Sequence, residues 1–288
     1  MTSQDGLPTY LIKIACPNRI GIVADVSRFL VDHGCDITNS AQFDDPDGGR
    51  FFLRTAFAST TGASIDELRR DFAPIAERYG MEASFHDPRR KLRTLIMVSK
   101  FGHCLNDLLF RARIGALPIE IPAIASNHTD FADVAANAGI PFYHMPVTPQ
   151  TKAAKEKQLS DLVDREGIEL IVLARYMQVL SPDLCSRFLG RVINIHHSFL
   201  PSFIGARPYH RAYERGVKLI GATAHYVTPD LDEGPIIEQA VERVHHGLTA
   251  EDFVAVGRDV EALVLARAVK WHAEHRVLLN GERTIVFQ

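Results

Sequence analysis

Apolar positions along the chain alternate between stretches of period two and stretches of helical period, and the order of these stretches predicts the elements. Tyr10–Ala15 is β-rich and breaks at Cys16-Pro17-Asn18-Arg19. Ile22, Val23, Val26, Phe29 and Leu30 then share one helical face, which His33-Gly34 closes. Ile37–Phe43 reads as a strand and the Asp- and Gly-rich run 44–49 as a hairpin-type connection. Arg50–Phe57 is the next strand, with Phe51, Leu53, Thr55 and Phe57 alternating. Ser64 with Glu67 three residues on is a capping-box pattern, and it opens a helix striped by Ile65, Leu68, Phe72, Ile75 and Tyr79. Gly80 ends that helix and Met81–Phe85 makes a short last strand. The order β-α-β-β-α-β predicts a ferredoxin-like sandwich.

His86-Asp-Pro-Arg-Arg-Lys91 is short, charged and proline-containing, and it divides the chain into domains 1–90 and 91–288. After it come a β-rich run Leu92–Val98 and a helix carrying Leu105, Leu108, Leu109 and Ala112. A strand Ile119–Ala125, a short helix near 130–138 and a strand Pro141–Met145 follow. Next are a charged helix Lys152–Arg165 and a buried strand Ile168–Ala174. Arg191-Val192-Ile193 ends a further strand, Gly221–Val227 is another, and Ile236-Ile237 opens one more. Glu251–Ala273 reads as a long closing helix and Arg276–Phe287 as a final strand or hairpin. Alternating β and α predicts an α/β fold with an open, mostly parallel sheet. Ligands of such sheets bind outside the carboxyl ends of the strands, which points to 174–180, 194–196 and 228–232.

The chemistry-bearing residues concentrate there. Asn194 and His196 stand two residues apart, so in an extended chain both side chains face the same way. A carboxamide can donate to a developing oxyanion, and an imidazole can give or take a proton near neutral pH. Ser198-Phe199-Leu200-Pro201 turns the chain away, and Gly205 and Pro208 keep it irregular as far as Arg211. The turn-rich run Thr228–Pro235 places Asp232 at a strand end, where a carboxylate could orient His196 or hold a water. Residue types alone fit a polar loop beside core histidines equally well.

Composition narrows the classes. The 288 residues are 46% hydrophobic, enough for substantial cores and too apolar for disorder. A formal charge of −3 with no long basic run argues against nucleic acid as partner. No apolar run approaches the ~18 residues of a membrane span, and the N-terminus has no secretory pattern. Cys16, Cys35, Cys104 and Cys185 lack pair spacing and read as reduced residues of a cytoplasmic protein. His272-Ala-Glu-His275 is not a zinc spacing, and the pairs His196-His197 and His245-His246 would diverge in an extended chain, so no metal is expected.

The strings N-I-H-x-S-x-L-P-x-x-x-G, G-A-T-x-H-Y-V and L-D-x-G-P-I-I, in that order, resemble the folate-dependent formyltransferase family over roughly residues 92–245. The resemblance implies a catalytic trio of Asn194, His196 and Asp232. It also implies a folate pocket at Arg175, Tyr176, Met177, Gln178, Val179 and Leu180, and at Thr228 and Asp230 in the loop before Asp232. The opening C-P-N-R-I-G-I-V-A-D-V-S-R-F-L resembles ACT domains, with Asn18 where those carry an acidic residue. That likeness implies a regulatory and oligomerising module, a homo-dimer or tetramer, and an effector such as glycine or methionine at Asn18, Arg19 and Gly21. Family members that use a phosphate-bearing amine carry a loop of small residues after the first strand of this domain. Here the loop reads Val98-Ser-Lys-Phe-Gly-His-Cys-Leu-Asn106, with bulky Phe101 and His103. With the module in front and no appended tRNA-enzyme domain, the pattern resembles the hydrolytic branch. That branch implies hydrolysis of 10-formyltetrahydrofolate to formate and tetrahydrofolate without a cofactor, balancing one-carbon folate pools and supplying formate for purine synthesis. The alternative is folate-dependent formyl transfer to an amine.

Overall fold

The computed structural model describes residues 7–199 and 208–288. The first apolar run is β1 (Thr9–Pro17), followed by α1 (Ile22–Asp32), β2 (Cys35–Asp45), β3 (Arg50–Ser59), α2 (Ile65–Tyr79) and β4 (Glu82–His86). The sheet order is β2-β3-β1-β4, with every neighbour antiparallel, as a ferredoxin-like βαββαβ unit requires. Tyr10, Ile12, Ile14 and Cys16 alternate onto the face that packs under Ile22, Val26, Phe29 and Leu30 of α1 and Leu68 and Phe72 of α2. Removing a buried ring such as Phe72 from this core costs about 3–5 kcal/mol. The capping box forms: Ser64 Oγ accepts from the Glu67 amide, and Glu67 Oε2 accepts from the Ser64 amide at 2.8 Å.

The opposite face of that sheet is covered too. Residues 274–278 and 285–288 group with the chain up to Arg90, while 91–273 and 279–284 form the second compact unit. Ala15 and Phe52 pack against Leu278, Ile285 and Phe287. On the same face Lys13 Nζ donates to the Val277 carbonyl at 3.2 Å, and Arg54 donates to the carbonyls of Glu274 and His275.

The second unit holds β5 (Leu92–Val98), α3 (His103–Arg113), β6 (Ile119–Ser126), α4 (Ala132–Asn137), β7 (Phe142–His144), α5 (Lys152–Arg165), β8 (Leu170–Leu173), α6 (Pro182–Arg187) and β9 (Val192–His196). It continues with α7 (Pro208–Arg215), β10 (Leu219–Tyr226), β11 (Ile236–Arg243) and α8 (Ala250–Ala273); the hairpin of β12 (Val277–Asn280) and β13 (Arg283–Val286) belongs partly to each unit. Seven strands run in the order β11-β10-β9-β8-β5-β6-β7. β5 to β9 are mutually parallel, and β10 and β11 are antiparallel additions at one edge. The winding reverses between β5 and β8, which makes the carboxyl ends of these two strands a topological switch point.

Two local expectations change. Pro208 does not prolong an irregular stretch; it opens α7, where its missing N–H costs nothing in the first turn. Leu200, Pro201 and Gly205 lie outside the described residues. The loop Thr228–Asp232 does not leave from the carboxyl ends of the parallel strands. β10 runs antiparallel to β9, so the chain departs level with Val192 and folds back to reach His196. Among the described residues no helix is long and apolar enough to cross a membrane.

Candidate active site

Asn194 and His196 occupy alternate positions of β9 and therefore one face of the sheet. Their antiparallel partners on β10 are His225 and Thr223, which share that face. The β10–β11 register slips between Ala224 and His225, a bulge of the kind that re-aims a side chain beside a site. The returning loop brings Asp232 against both histidines: Oδ2 lies 3.1 Å from His196 Nδ1 and Oδ1 lies 3.6 Å from His225 Nε2. Gly234 makes the return possible, because a Cβ there would meet the Tyr226 carbonyl oxygen at 1.7 Å.

Hydrogen bonds set the tautomers. His225 Nδ1 lies 2.9 Å from the Tyr226 carbonyl, which can only accept, so Nδ1 carries a proton. Its Nε2 then accepts from Asn194 Nδ2 at 3.3 Å when the ring is neutral. His196 presents Nδ1–H to Asp232, and its Nε2 is buried and meets no polar partner among the described residues. The hydrogen bond from His196 is the main cause that holds the Asp232 carboxyl well below the usual carboxylate range, against the opposing effect of burial. Asp232 also sits at φ 59°, and Arg175 at 63°. Positive φ at residues with side chains is strained backbone, and such strain clusters at functional sites.

These groups line a cavity of about 740 Å³. Arg175, Tyr176, Met177, Gln178, Val179 and Leu180 line it too, as do Thr228 and Asp230. Met177 and Val179 are half exposed, giving the wall an apolar character suited to a flat ring. Tyr176 is buried, and burial, aided by Glu156, pushes its hydroxyl up to about 12. The 175–180 loop is clamped from β5: the Ser99 amide donates to the Arg175 carbonyl, and Ser99 Oγ accepts from the Met177 amide at 2.9 Å.

Sequence reasoning missed part of the wall. Phe101, His103, Tyr209, Arg258 and Glu261 line the same cavity. Glu261 is 1% exposed and falls on the apolar stripe of α8 between Val260 and Val264. A lone carboxylate on a core stripe was the available signal. His225 was likewise visible as an imidazole inside an otherwise apolar strand. His103, Cys104 and Glu261 bring three potential ligand atoms within 4.8 Å. A cation fits poorly there, since the Glu261 oxygens already take His103 Nε2 at 2.8 Å, Tyr209 Oη at 2.6 Å and the Arg175 guanidinium at 3.3 Å. Burial also pushes the Cys104 thiol well above its usual range, away from the thiolate that binds metals. The His196 and His197 rings do not diverge: their centroids are 4.7 Å apart, because His197 lies past the end of β9, where strand alternation stops.

In the first unit Asn18, Arg19 and Gly21 precede α1. Asn18 Nδ2 donates to Asp44 at 2.8 Å and Arg19 reaches the Arg78 carbonyl. Gly21 caps the helix at φ 100° without a side-chain hydrogen bond, and a Cβ there would press on the Tyr79 hydroxyl.

A seven-stranded sheet with an Asn/His/Asp cluster in an apolar cleft, behind a βαββαβ unit, defines a formyl transferase-type enzyme carrying an ACT domain. The formyl transferase family matches residues 92–269 and the ACT domain family residues 10–72. The chain belongs to the formyltetrahydrofolate deformylase family. It is 50% identical to the formyltetrahydrofolate deformylase of Corynebacterium sp. (strain P-1) over 97% of this chain and 98% of that protein. It is 49% identical to that of Bacillus subtilis (strain 168), over 96% and 93%. The crystal structure of formyltetrahydrofolate deformylase from Burkholderia mallei superposes with a TM-score of 0.94 at 55% identity, covering 97% of this chain and 99% of that one.

Proposed function

We propose that the chain hydrolyses 10-formyltetrahydrofolate to formate and tetrahydrofolate at Asn194, His196 and Asp232. The observation that carries the assignment of residues is His196 Nε2, a buried nitrogen with no partner among the described residues, on a ring held by an ionised carboxylate. Most buried polar atoms in proteins are paired, so an imidazole nitrogen left over at a cleft beside an ionised carboxylate is a place for a reacting group.

The chemistry follows from the arrangement. The folate ring lies against Met177, Val179 and Leu180, with the edge of the 175–180 loop and Thr228 and Asp230 reading its polar rim. Water attacks the formyl carbon, and the carbonyl electron pair moves onto oxygen. Protonated His196 donates from Nε2 to that oxygen, and Asn194 donates its second amide hydrogen, the first being held by His225. Losing one such donor costs about 3–4 kcal/mol of transition-state stabilisation. Asp232 is too acidic to be a resting base, so it holds the His196 ring in place and orients the water. It takes a proton only once attack has made the bound water acidic, and passes it to N10 as the C–N10 bond breaks. The aryl nitrogen already activates the formyl amide, so this route calls for no cofactor.

The domain roles belong to the same reading. Residues 1–90 serve as the regulatory and oligomerising module and 91–288 as the catalytic part, in a cytoplasmic homo-dimer or tetramer. The edge strand β2 and the start of α1 are the surfaces offered for pairing and for an amino-acid effector such as glycine or methionine at Asn18, Arg19 and Gly21. Light scattering should give a mass above the 32.1 kDa of one chain; a monomer at micromolar concentration contradicts the assembly. Calorimetric titration of glycine and methionine tests the effector. For the activity, the protein is mixed with 10-formyltetrahydrofolate and no amine. Steady formate release supports hydrolysis, whereas formate-free turnover that starts only on adding an amine supports transfer.

A further inference from the structure

Glu261 is the most buried charged side chain around the cavity, yet the proposed hydrolysis gives it no task. Burial opposes its ionisation, but hydrogen bonds from His103 and Tyr209 and the charge of Arg175 outweigh that, and its carboxyl stays below its usual range. The three partners come from three different elements. His103 opens α3, Tyr209 lies in the first turn of α7, and Arg175 begins the loop that follows β8. Tyr209 seats on α8 because residue 257 is glycine; a Cβ there would stand 2.2 Å from the Tyr209 ring.

Arg175 is the odd member. Its φ of 63° is a conformation that its own side chain disfavours by about 1–3 kcal/mol. Something must hold it. Its backbone carbonyl accepts from Ser99, and its side chain is 12% exposed, ion-paired to Glu261 and stacked 5.7 Å from the centre of the Phe101 ring. A buried guanidinium left without its carboxylate would be strongly unfavourable, so the pair ties the loop to α8.

We propose that Glu261 is a positioning residue that fixes the cavity-lining loop Arg175–Leu180 in its strained conformation by acting through Arg175. The consequence for substrate rests on the reading of that loop as the folate wall. Losing Glu261 should weaken binding far more than it slows the chemical step, because Asn194, His196 and Asp232 are held by β9 and the 228–235 loop instead. His103 and Tyr209 serve the same carboxylate, fixing its two oxygens so that Oε2 faces the guanidinium.

The direct test needs no substrate. Hydrogen exchange is followed in the ligand-free full chain for wild type, Glu261→Gln, Arg175→Met and the double variant. The proposal predicts at least about tenfold faster exchange over 175–180 in Glu261→Gln, with 119–126 and 170–173 unchanged. It also predicts no added effect of Glu261→Gln in the Arg175→Met background, as expected of residues acting in one chain of contacts. Unchanged exchange at 175–180, additive effects of the two substitutions, or a rise spread evenly over the unit would each overturn it. If Glu261→Gln does not fold, Arg175→Lys carries the same prediction, since an ammonium cannot keep both the carboxylate and the stacked ring. In turnover, Glu261→Gln should raise KM for 10-formyltetrahydrofolate about tenfold with kcat within about threefold of wild type. A proportionate fall in kcat at unchanged KM would count against it. Because exchange is read without folate, its outcome stands whichever acceptor the enzyme uses.

Discussion

Asp232 and Glu261 are two carboxylates on one cavity, both more acidic than usual, and they are built in opposite ways. Asp232 is partly open, with 19% of its side chain exposed, and stands on strained backbone in a returning loop. It faces two imidazoles, one of which keeps a nitrogen without a partner among the described residues. Glu261 is sealed in the middle of a 24-residue helix, hydrogen-bonded to His103 and Tyr209 and ion-paired to Arg175. A buried carboxylate faced by groups from three other elements adds rigidity, whereas an imidazole nitrogen left open toward a cleft has a place for another molecule. The first kind of cluster holds a wall and the second kind can do chemistry.

The contrast can be broken most sharply at the reactive cluster. Asp232→Asn and His196→Ala should each lower kcat by at least about a hundredfold with folate affinity changed much less, because both act on the transition state. Steady-state kinetics together with a tetrahydrofolate titration separates the two quantities, and near-normal turnover removes the residue from the mechanism. His225→Gln comes next, with about a tenfold loss of kcat: it deprives Asn194 of the ring nitrogen that orients its amide. A change confined to KM would show that His225 shapes the cleft only.

Acid stability offers a smaller effect on both clusters. Each carboxyl has its folded pKa below its unfolded value, so its contribution is present above about pH 4 and is lost as pH falls through the folded value. Asp232→Asn should therefore flatten the fall of stability on the acid side, by the order of 1 kcal/mol once solvent screening at the half-open site is allowed for. Glu261→Gln should flatten it in the same direction. Denaturant melts between pH 5 and pH 2 measure both, and parallel curves for variant and wild type would refute the linkage. The smallest effect on rate is expected from Ser64→Ala, which removes the capping box of α2 and should cost about 1 kcal/mol of stability while leaving kcat unchanged. It checks that modest destabilisation alone does not imitate loss of a reactive group.

Local patterns made much of this architecture legible. The capping box at Ser64 and Glu67, the stripe from Leu68 to Tyr79 and the alternation on β9 are encoded in neighbouring residues, and they placed α2 and paired Asn194 with His196. What depends on distant partners was not readable. No local signal says that β10 runs antiparallel, so the loop carrying Asp232 was assigned to the carboxyl ends of the strands although it starts from the other end. Leu278, Ile285 and Phe287 alternate like any short strands, and only their packing on Ala15 and Phe52 shows which sheet they cover. Lys13 shows the same limit: it reads as a surface residue of β1, but burial and the nearby Arg54 lower its ammonium to about 8 beneath the C-terminal residues. Glu261 shows in the sequence only as a carboxylate on an apolar stripe; that three other elements meet it there depends on distant partners.

The central claim is that water, and not an amine, attacks the formyl carbon at the His196–Asp232 pair. Turnover of 10-formyltetrahydrofolate in heavy-oxygen water, without any amine, tests it most directly by mass spectrometry of the product. The expected product is formate carrying one solvent oxygen, formed in equal amount with tetrahydrofolate and lost in Asp232→Asn. Formate without solvent oxygen, or no product until an amine is supplied, would contradict it.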